Sequence, residues 1–329
     1  MAIGGCAQAT GAPAREFVSI EAPVLALTHV RVIDGTGAAG RSDQTLVIRG
    51  GNIVEVGNTS TVRPPPDARV IDLSGRTVLP GYVMLHEHLF TTPDGGGYTN
   101  TPYSFAPLYL AGGATTVRTA GSRWWHTDRK VRDAIDAGEM PGPDIELTSQ
   151  HLNGPLLRML YFGSLAERGR ERVATWAEIG ATSFKAYEDV TREELGGMIE
   201  EAHRRGLKVT GHLCAVTFSE AADLGIDNLE HGIWVASDFV PDKQPDACPP
   251  AHHVLGAMLR AEWSAIRRLI DKLVARRVAI TSTLTVFEGF VSTREPAPEG
   301  ALELMAPKVR ERYQSHRADV AAHPEPVWS

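Results

Sequence analysis

The sequence predicts an α/β chain: a (β/α)8 TIM-like barrel, incomplete with about seven strands, preceded by a small N-terminal β-sandwich-like domain. Three observations carry the prediction. Residues 25–81 are rich in β-branched runs with hairpin punctuation. From Tyr82 onward, short apolar runs alternate with amphipathic stretches, the rhythm of a parallel sheet with crossover helices. With 329 residues, the chain is long enough for one large barrel or two ordinary domains. The expected division is a disordered segment over 1–24, a small β domain over 25–81 and the barrel over 82–329.

The first segment contains Ala, Pro and Gly and no apolar periodicity. Ile3-Gly4-Gly5-Cys6 resembles the end of a bacterial lipoprotein signal, but the charged and apolar parts of a signal peptide are absent. This leaves two locations: cytoplasmic, or exported and lipid-anchored through Cys6 if the true start lies upstream. In the β domain, Leu25–Asp34 and Thr45–Gly57 read as strands, and Gly50-Gly51-Asn52 between apolar runs is a hairpin signal. This is too little chain for an independent core, so it is expected to pack on the barrel.

Seven barrel strands are expected, at 82–89, 114–120, 144–149, 182–187, 207–213, 227–232 and 278–284. Helices lie between them, for example at 191–206 and 264–277. Thr191 with Glu194 three residues later forms a capping box, and Gly206 stands where a C-cap glycine belongs. Residues 302–322 read as the helix leading to an eighth strand, and the sequence stops at Ser329 before one is visible. A barrel short of one strand leaves two open edges. The expectation is therefore a truncated chain, or one that a partner closes, and a homo-oligomer stays open.

Bulk properties exclude several functions. A composition of 43% hydrophobic and 22% charged residues is ordinary for a globular protein. A net charge of −7, with no basic run, argues against nucleic acid. No stretch reaches the length of a membrane span. Three cysteines, Cys6, Cys214 and Cys248, are too few and too scattered for a disulfide framework or a zinc knuckle, and Cys214 reads as a small packing residue.

The chemistry sits at strand ends. In VLPGYVMLHEHLF, His86 and His88 are two apart on a strand and so face one side, while Glu87 faces the barrel wall. Lys185 lies near the end of the fourth barrel strand, His212 ends the fifth and His231 the sixth. In a parallel barrel these ends converge on the functional mouth. A lysine between Phe184 and Ala186 is costly to bury as an unpaired cation. It can instead turn neutral and react with CO2 to form an anionic carbamate able to bridge two metals. His151 follows the third strand and is expected to contact substrate. Tyr103, Arg123 and Trp124 are weaker substrate-binding candidates, and Arg158 is a second possible carboxylate partner. His203 reads as part of a solvated helix face.

From Leu25 onward these features resemble the amidohydrolase superfamily of metal-dependent hydrolases. The residues that carry the resemblance are the β segment leading into LPGYVMLHEHL, Lys185, and VTGHL followed by AADLGIDNLEHG. The last pair is most similar to the imidazolonepropionase-like and prolidase-like branch. The resemblance implies that His86 and His88 hold one divalent metal, that His212 and His231 hold a second, and that carboxylated Lys185 bridges them. Zn2+ is the first choice, with Mn2+, Fe2+ or Co2+ as alternatives. It implies hydrolysis of an amide C–N bond by a metal-bridging hydroxide, on a cyclic amide, an N-acyl amino acid or a short peptide-like substrate. It also implies an aspartate at the end of an eighth strand, which this sequence does not reach. A lactone or phosphotriester hydrolase on the same metal centre, or an inactive fragment or scaffold relative, remains open.

Overall fold

The computed structural model describes residues 18–91, 99–160 and 162–323. Most of the expected disordered segment, and Cys6 with its proposed anchor, lie outside the described residues. The chain divides into two compact units: Met1–Tyr82 with Gly138–Pro141, and Val83–Ala137 with Gly142–Ser329.

The first unit is one mixed sheet. Strands β1 (Val24–Val32), β2 (Arg41–Arg49), β3 (Asn52–Asn58), β4 (Arg69–Asp72) and β5 (Thr77–Val78) are arranged β3-β2-β1-β4, with β5 also on β1. β1–β2 and β2–β3 are antiparallel, while β4 and β5 run parallel to β1. The expected hairpin is present: Gly50 and Gly51 both take positive φ, +54° and +80°, which two-residue turns matching strand twist require. Alternation along β1 buries Val24, Ala26, Val30 and Val32. Val24 packs with Val47 and Val62, and Val30 and Val32 pack with Leu46. Among the described residues the expected sandwich is thus represented by a single sheet.

Apart from Tyr82, the second unit holds the seven expected barrel strands. They are β6 (Tyr82–Glu87), β9 (Ala114–Thr119), β10 (Asp144–Glu146) continued past Leu147 by β11 (Thr148–Leu152), β12 (Ser183–Ala186), β13 (Lys208–Gly211), β14 (Asn228–Glu230) and β15 (Ala279–Thr281). A small antiparallel pair, β7 (Phe90–Thr91) and β8 (Thr99–Asn100), comes after β6. The order is β10-β9-β6 in one sheet and β11-β12-β13-β14-β15 in the other. The pairs from β11 to β15 are all parallel, as is β9 with β10. An isolated parallel bridge, Ser122 to Gln150, links the two sheets.

Local signals set the helices. Capping boxes start Leu165–Ile179 at Ser164/Glu167, Arg192–Arg204 at Thr191/Glu194 and Phe218–Leu224 at Thr217/Glu220. The outward face of β12, Phe184 and Ala186, is fully buried. Among the described residues, β6 pairs only with β9 and β15 only with β14, so the barrel is not closed. The helix Pro307–Ala322 comes last, with His323 as its C-cap.

The cysteine expectation needs correction. Cys214 and Cys248 form a disulfide, with Cα atoms 4.9 Å apart. Cys214 is therefore a covalent tether as well as a packing residue. The chain between the two cysteines, separated by 34 positions, folds back through the 3-10 turns Gly232–Val235 and Ser237–Phe239, a return path that spacing alone does not reveal.

Candidate active site

One cavity of about 180 Å3 is lined by His86, His88, Phe90, Ala120, His151, Lys185, Tyr187, His212 and His231. The five residues expected to surround two metals, together with His151, therefore face one volume. The imidazole centroids lie 5.3 Å apart for His86–His88, 4.6 Å for His86–His231 and 4.2 Å for His212–His231. His151 sits 6.1 Å from His88 and 4.7 Å from Tyr187.

Backbone geometry explains the convergence. His86 and His88 share a side by strand alternation. On β14, Leu229 and Glu230 point to opposite sides, and plain alternation would send His231 away from Glu230. His231 instead takes φ +67° at the strand end, which re-aims its ring. Gly121 is required by space as well as by its φ of +91°. A Cβ there would stand 2.5 Å from Cδ2 of His151 and 3.0 Å from Cγ of Lys185.

Hydrogen bonds decide which imidazole nitrogen is available. His86 Nδ1 donates to Glu230 Oε2 at 2.5 Å, and His88 Nδ1 donates to the Gly121 carbonyl at 3.2 Å. Both partners can only accept, so Nε2 is the unprotonated nitrogen in each neutral ring. His231 Nδ1 meets the Thr283 hydroxyl at 3.0 Å, leaving the same tautomer open. His212 is reversed, with Nε2 at 3.4 Å from Glu188 Oε1. Burial pushes His88, His151 and His212 down to about 3 and His231 to about 2, so the rings stay neutral near pH 7. A neutral imidazole whose other nitrogen is tied to a carboxylate or carbonyl is the usual state of a metal ligand.

Lys185 is 1% exposed. Its Nζ lies 3.4 Å from Glu230 Oε1, and no aligned hydrogen bond reaches it. Burial pushes its pKa down to about 8, and Arg118 acts in the same direction. Glu230 is the residue that sequence reasoning missed. It is fully buried and meets Lys185, His86, Arg118 Nη2 at 2.9 Å and the Thr210 hydroxyl. Burial alone would raise its pKa, but Lys185, His86 and Arg118 together hold it well below the usual carboxylate range. A signal was present: strand alternation puts Glu230 on the side of Asn228 and opposite Leu229, so with apolar Leu229 on the outward side Glu230 faces the barrel interior.

The weaker candidates lie elsewhere. Tyr103 is 61% exposed on the helix Pro102–Ala111. Arg123 is exposed, and its charge is felt at His151. Trp124 sits at the start of the helix Trp125–Asp136, 6.0 Å from the Phe90 ring that lines the cavity. Arg158 faces Glu194 at 3.6 Å. His203 pairs with Asp227 on an exposed face, as expected. Among the described residues, no group of three His, Cys, Asp or Glu side chains is set to hold one ion by itself.

No protein-family model matches the chain. It is 27% identical over 242 residues to an enamidase from Eubacterium barkeri, covering 69% of this chain and 55% of that one. It is 30% identical over 195 residues to a dihydroorotase from Anaeromyxobacter dehalogenans (strain 2CP-C), covering 57% and 41%. The chain thus spans about half the length of the curated relatives it matches. Its fold is similar to that of a Xaa-Pro dipeptidase crystallised with methionine in the active site, with a TM-score of 0.60 at 18% identity over 91% of this chain and 75% of that one.

Proposed function

We propose that this chain, a member of the amidohydrolase superfamily, is the metal-binding part of a hydrolase that cleaves an amide C–N bond in a cyclic amide, an N-acyl amino acid or a dipeptide-like substrate. The observation that carries the reading is Lys185: a buried amine without an aligned hydrogen bond, in a cavity walled by neutral histidines.

The residues fit the implied group. His86 with His88, and His212 with His231, offer two imidazoles to each of two ions. That arrangement needs a third, shared ligand. Lys185 supplies the shared ligand once carboxylated. The ammonium would first lose one proton to solvent; the neutral amine would then form an N–C bond to CO2 and lose a second proton to solvent, leaving a carbamate anion. Two divalent cations, Zn2+ first and Mn2+, Fe2+ or Co2+ as alternatives, would polarise the scissile carbonyl and lower the pKa of a water molecule.

The chain's own side chains orient the rest. Glu230 fixes the His86 ring, the Gly121 carbonyl fixes His88, and Thr283 steadies His231. Glu230 also has a cationic neighbour, Arg118, that does not depend on the charge of Lys185. His151, beside Tyr187 on the cavity wall, is placed to contact the substrate. The disulfide favours an oxidising compartment over a reducing cytosol. Among the described residues, no helix is long and apolar enough to cross a membrane.

The test is metal content together with a substrate panel. Purified chain incubated with Zn2+ and bicarbonate is expected to hold about two ions and to cleave amides in preference to lactones and phosphotriesters. Fewer than one ion per chain, or cleavage confined to the esters, sinks the reading.

A further inference from the structure

A second cavity, of about 390 Å3, adjoins the first and shares His212 with it. Its walls are mostly apolar, with Trp234, Leu255, Phe287 and the disulfide between Cys214 and Cys248, and His252 also lines it. Among its described lining residues Glu188 is the one carboxylate, and it stands at the shared end, 3.4 Å from His212. A second carboxylate in this cavity would stand near that of Glu188. The volume is in the range that takes a drug-sized apolar group.

We infer that this cavity receives the side group of the amide substrate, so that the chain selects amides bearing a large apolar group, neutral or cationic, and disfavours those bearing a carboxylate at that position. The inference rests on the amide-hydrolase reading and adds the substrate class to it. Three features argue for it. The cavity opens beside a histidine of the polar site, so a substrate whose scissile bond lies among the histidines would have an arm within reach of it. Its apolar walls reward burial of hydrocarbon, which discriminates by roughly tenfold or more per large group. The disulfide ties Cys248 to Cys214, two residues past His212, so the far wall is held against the metal-site strand and is pre-organised.

The test uses the full chain and three probes: N-acetylglycinamide, N-acetyl-L-phenylalaninamide and the α-amide of N-acetyl-L-glutamate. Titration calorimetry on metal-free protein separates binding from turnover. The phenylalanyl compound is expected to bind about tenfold or more tighter than the glycyl one, and the glutamyl compound no tighter than the glycyl one. Leu255→Trp is expected to abolish the preference by filling the cavity, and Leu255→Ala to extend it to N-acetyl-L-tryptophanamide. Equal affinities for the three probes, or a preference unchanged in both variants, overturns the inference. The two readings fail differently. Selective binding by zinc-loaded chain that releases neither ammonia nor acetate rejects the hydrolase and leaves the pocket. Cleavage of all three at equal kcat/KM rejects the pocket and leaves the hydrolase.

Discussion

The turns of the small sheet and the buried centre of the barrel satisfy their polar groups in opposite ways. In the small sheet the turns are closed by short-range bonds: Asp34 accepts from Thr36, Asn58 from Ser60, and Asp72 from Ser74, each two residues on and each exposed. In the barrel, His86 and Glu230 are 144 positions apart, and Arg118 and Glu230 are 112 apart, with the carboxylate fully buried. The difference teaches where function is built. Local turn chemistry closes loops at little cost in chain entropy and is replaceable by water. A long-range buried network forms only once the fold exists, and it leaves charged groups stranded if one member is removed.

Substitutions can break that contrast in order of expected effect. Lys185→Ala, at the centre of the network, should lower bound zinc from about two ions to fewer than one and reduce amide hydrolysis by on the order of a hundredfold or more. Metal analysis and initial rates read both outcomes, and retention of two ions would remove Lys185 from the ligand set. In the metal-free, uncarboxylated chain, Glu230→Gln leaves Lys185 and Arg118 without their buried counter-charge. A loss of roughly 3–5 kcal/mol in denaturant unfolding is expected, because breaking a buried pair costs more than the pair contributes.

Cys248→Ser tests a contact of intermediate range. Opening the loop between cysteines 34 positions apart should cost about 4 kcal/mol, and the same loss of unfolding free energy should accompany reduction of the unmodified chain. A fourth substitution sharpens the comparison, since Asp128 accepts from Ser122 only six residues away yet is buried. Burial raises its pKa from 3.8 to about 6, so the folded state binds the proton more tightly than the unfolded state. Its stabilising contribution is complete below about pH 4, is lost as pH rises through about 6, and amounts to roughly 2–3 kcal/mol. Asp128→Asn should remove that slope from a stability-versus-pH curve, and an unchanged slope would refute the assignment. The smallest effect belongs to Asp72→Ala in the small sheet, where the exposed turn should leave the thermal midpoint indistinguishable from that of the parent chain.

Much of the architecture was legible because it is written locally. The Gly50-Gly51 hairpin, the Thr191/Glu194 capping box and the seven barrel strands all depend on residues within a few positions of one another, and all are present. The convergence of His86, His88, Lys185, His212 and His231 on one cavity was also foreseeable, since strand ends in a parallel barrel share one rim. Tyr103 and Trp124 show the limit. Helix starts and loops carry no such periodic constraint, so their direction could not be read from neighbours. The Cys214–Cys248 bond shows the same limit, because the path of the intervening turns decides whether two thiols meet.

By itself, then, the amino-acid order determined the periodicities, the caps and the parity that sends His86 and His88 to one side. Tertiary structure alone decided that Glu230 would lie against Lys185, that His231 would turn through a left-handed backbone conformation to join the other rings, and that a disulfide would wall an apolar cavity beside His212. The physical reason is range. Helix, hairpin and alternation arise from steric and hydrogen-bonding rules acting over roughly two to four residues. The protonation of a lysine and the tautomer of a histidine depend on charges and acceptors that arrive from distant strands only when the sheet has formed.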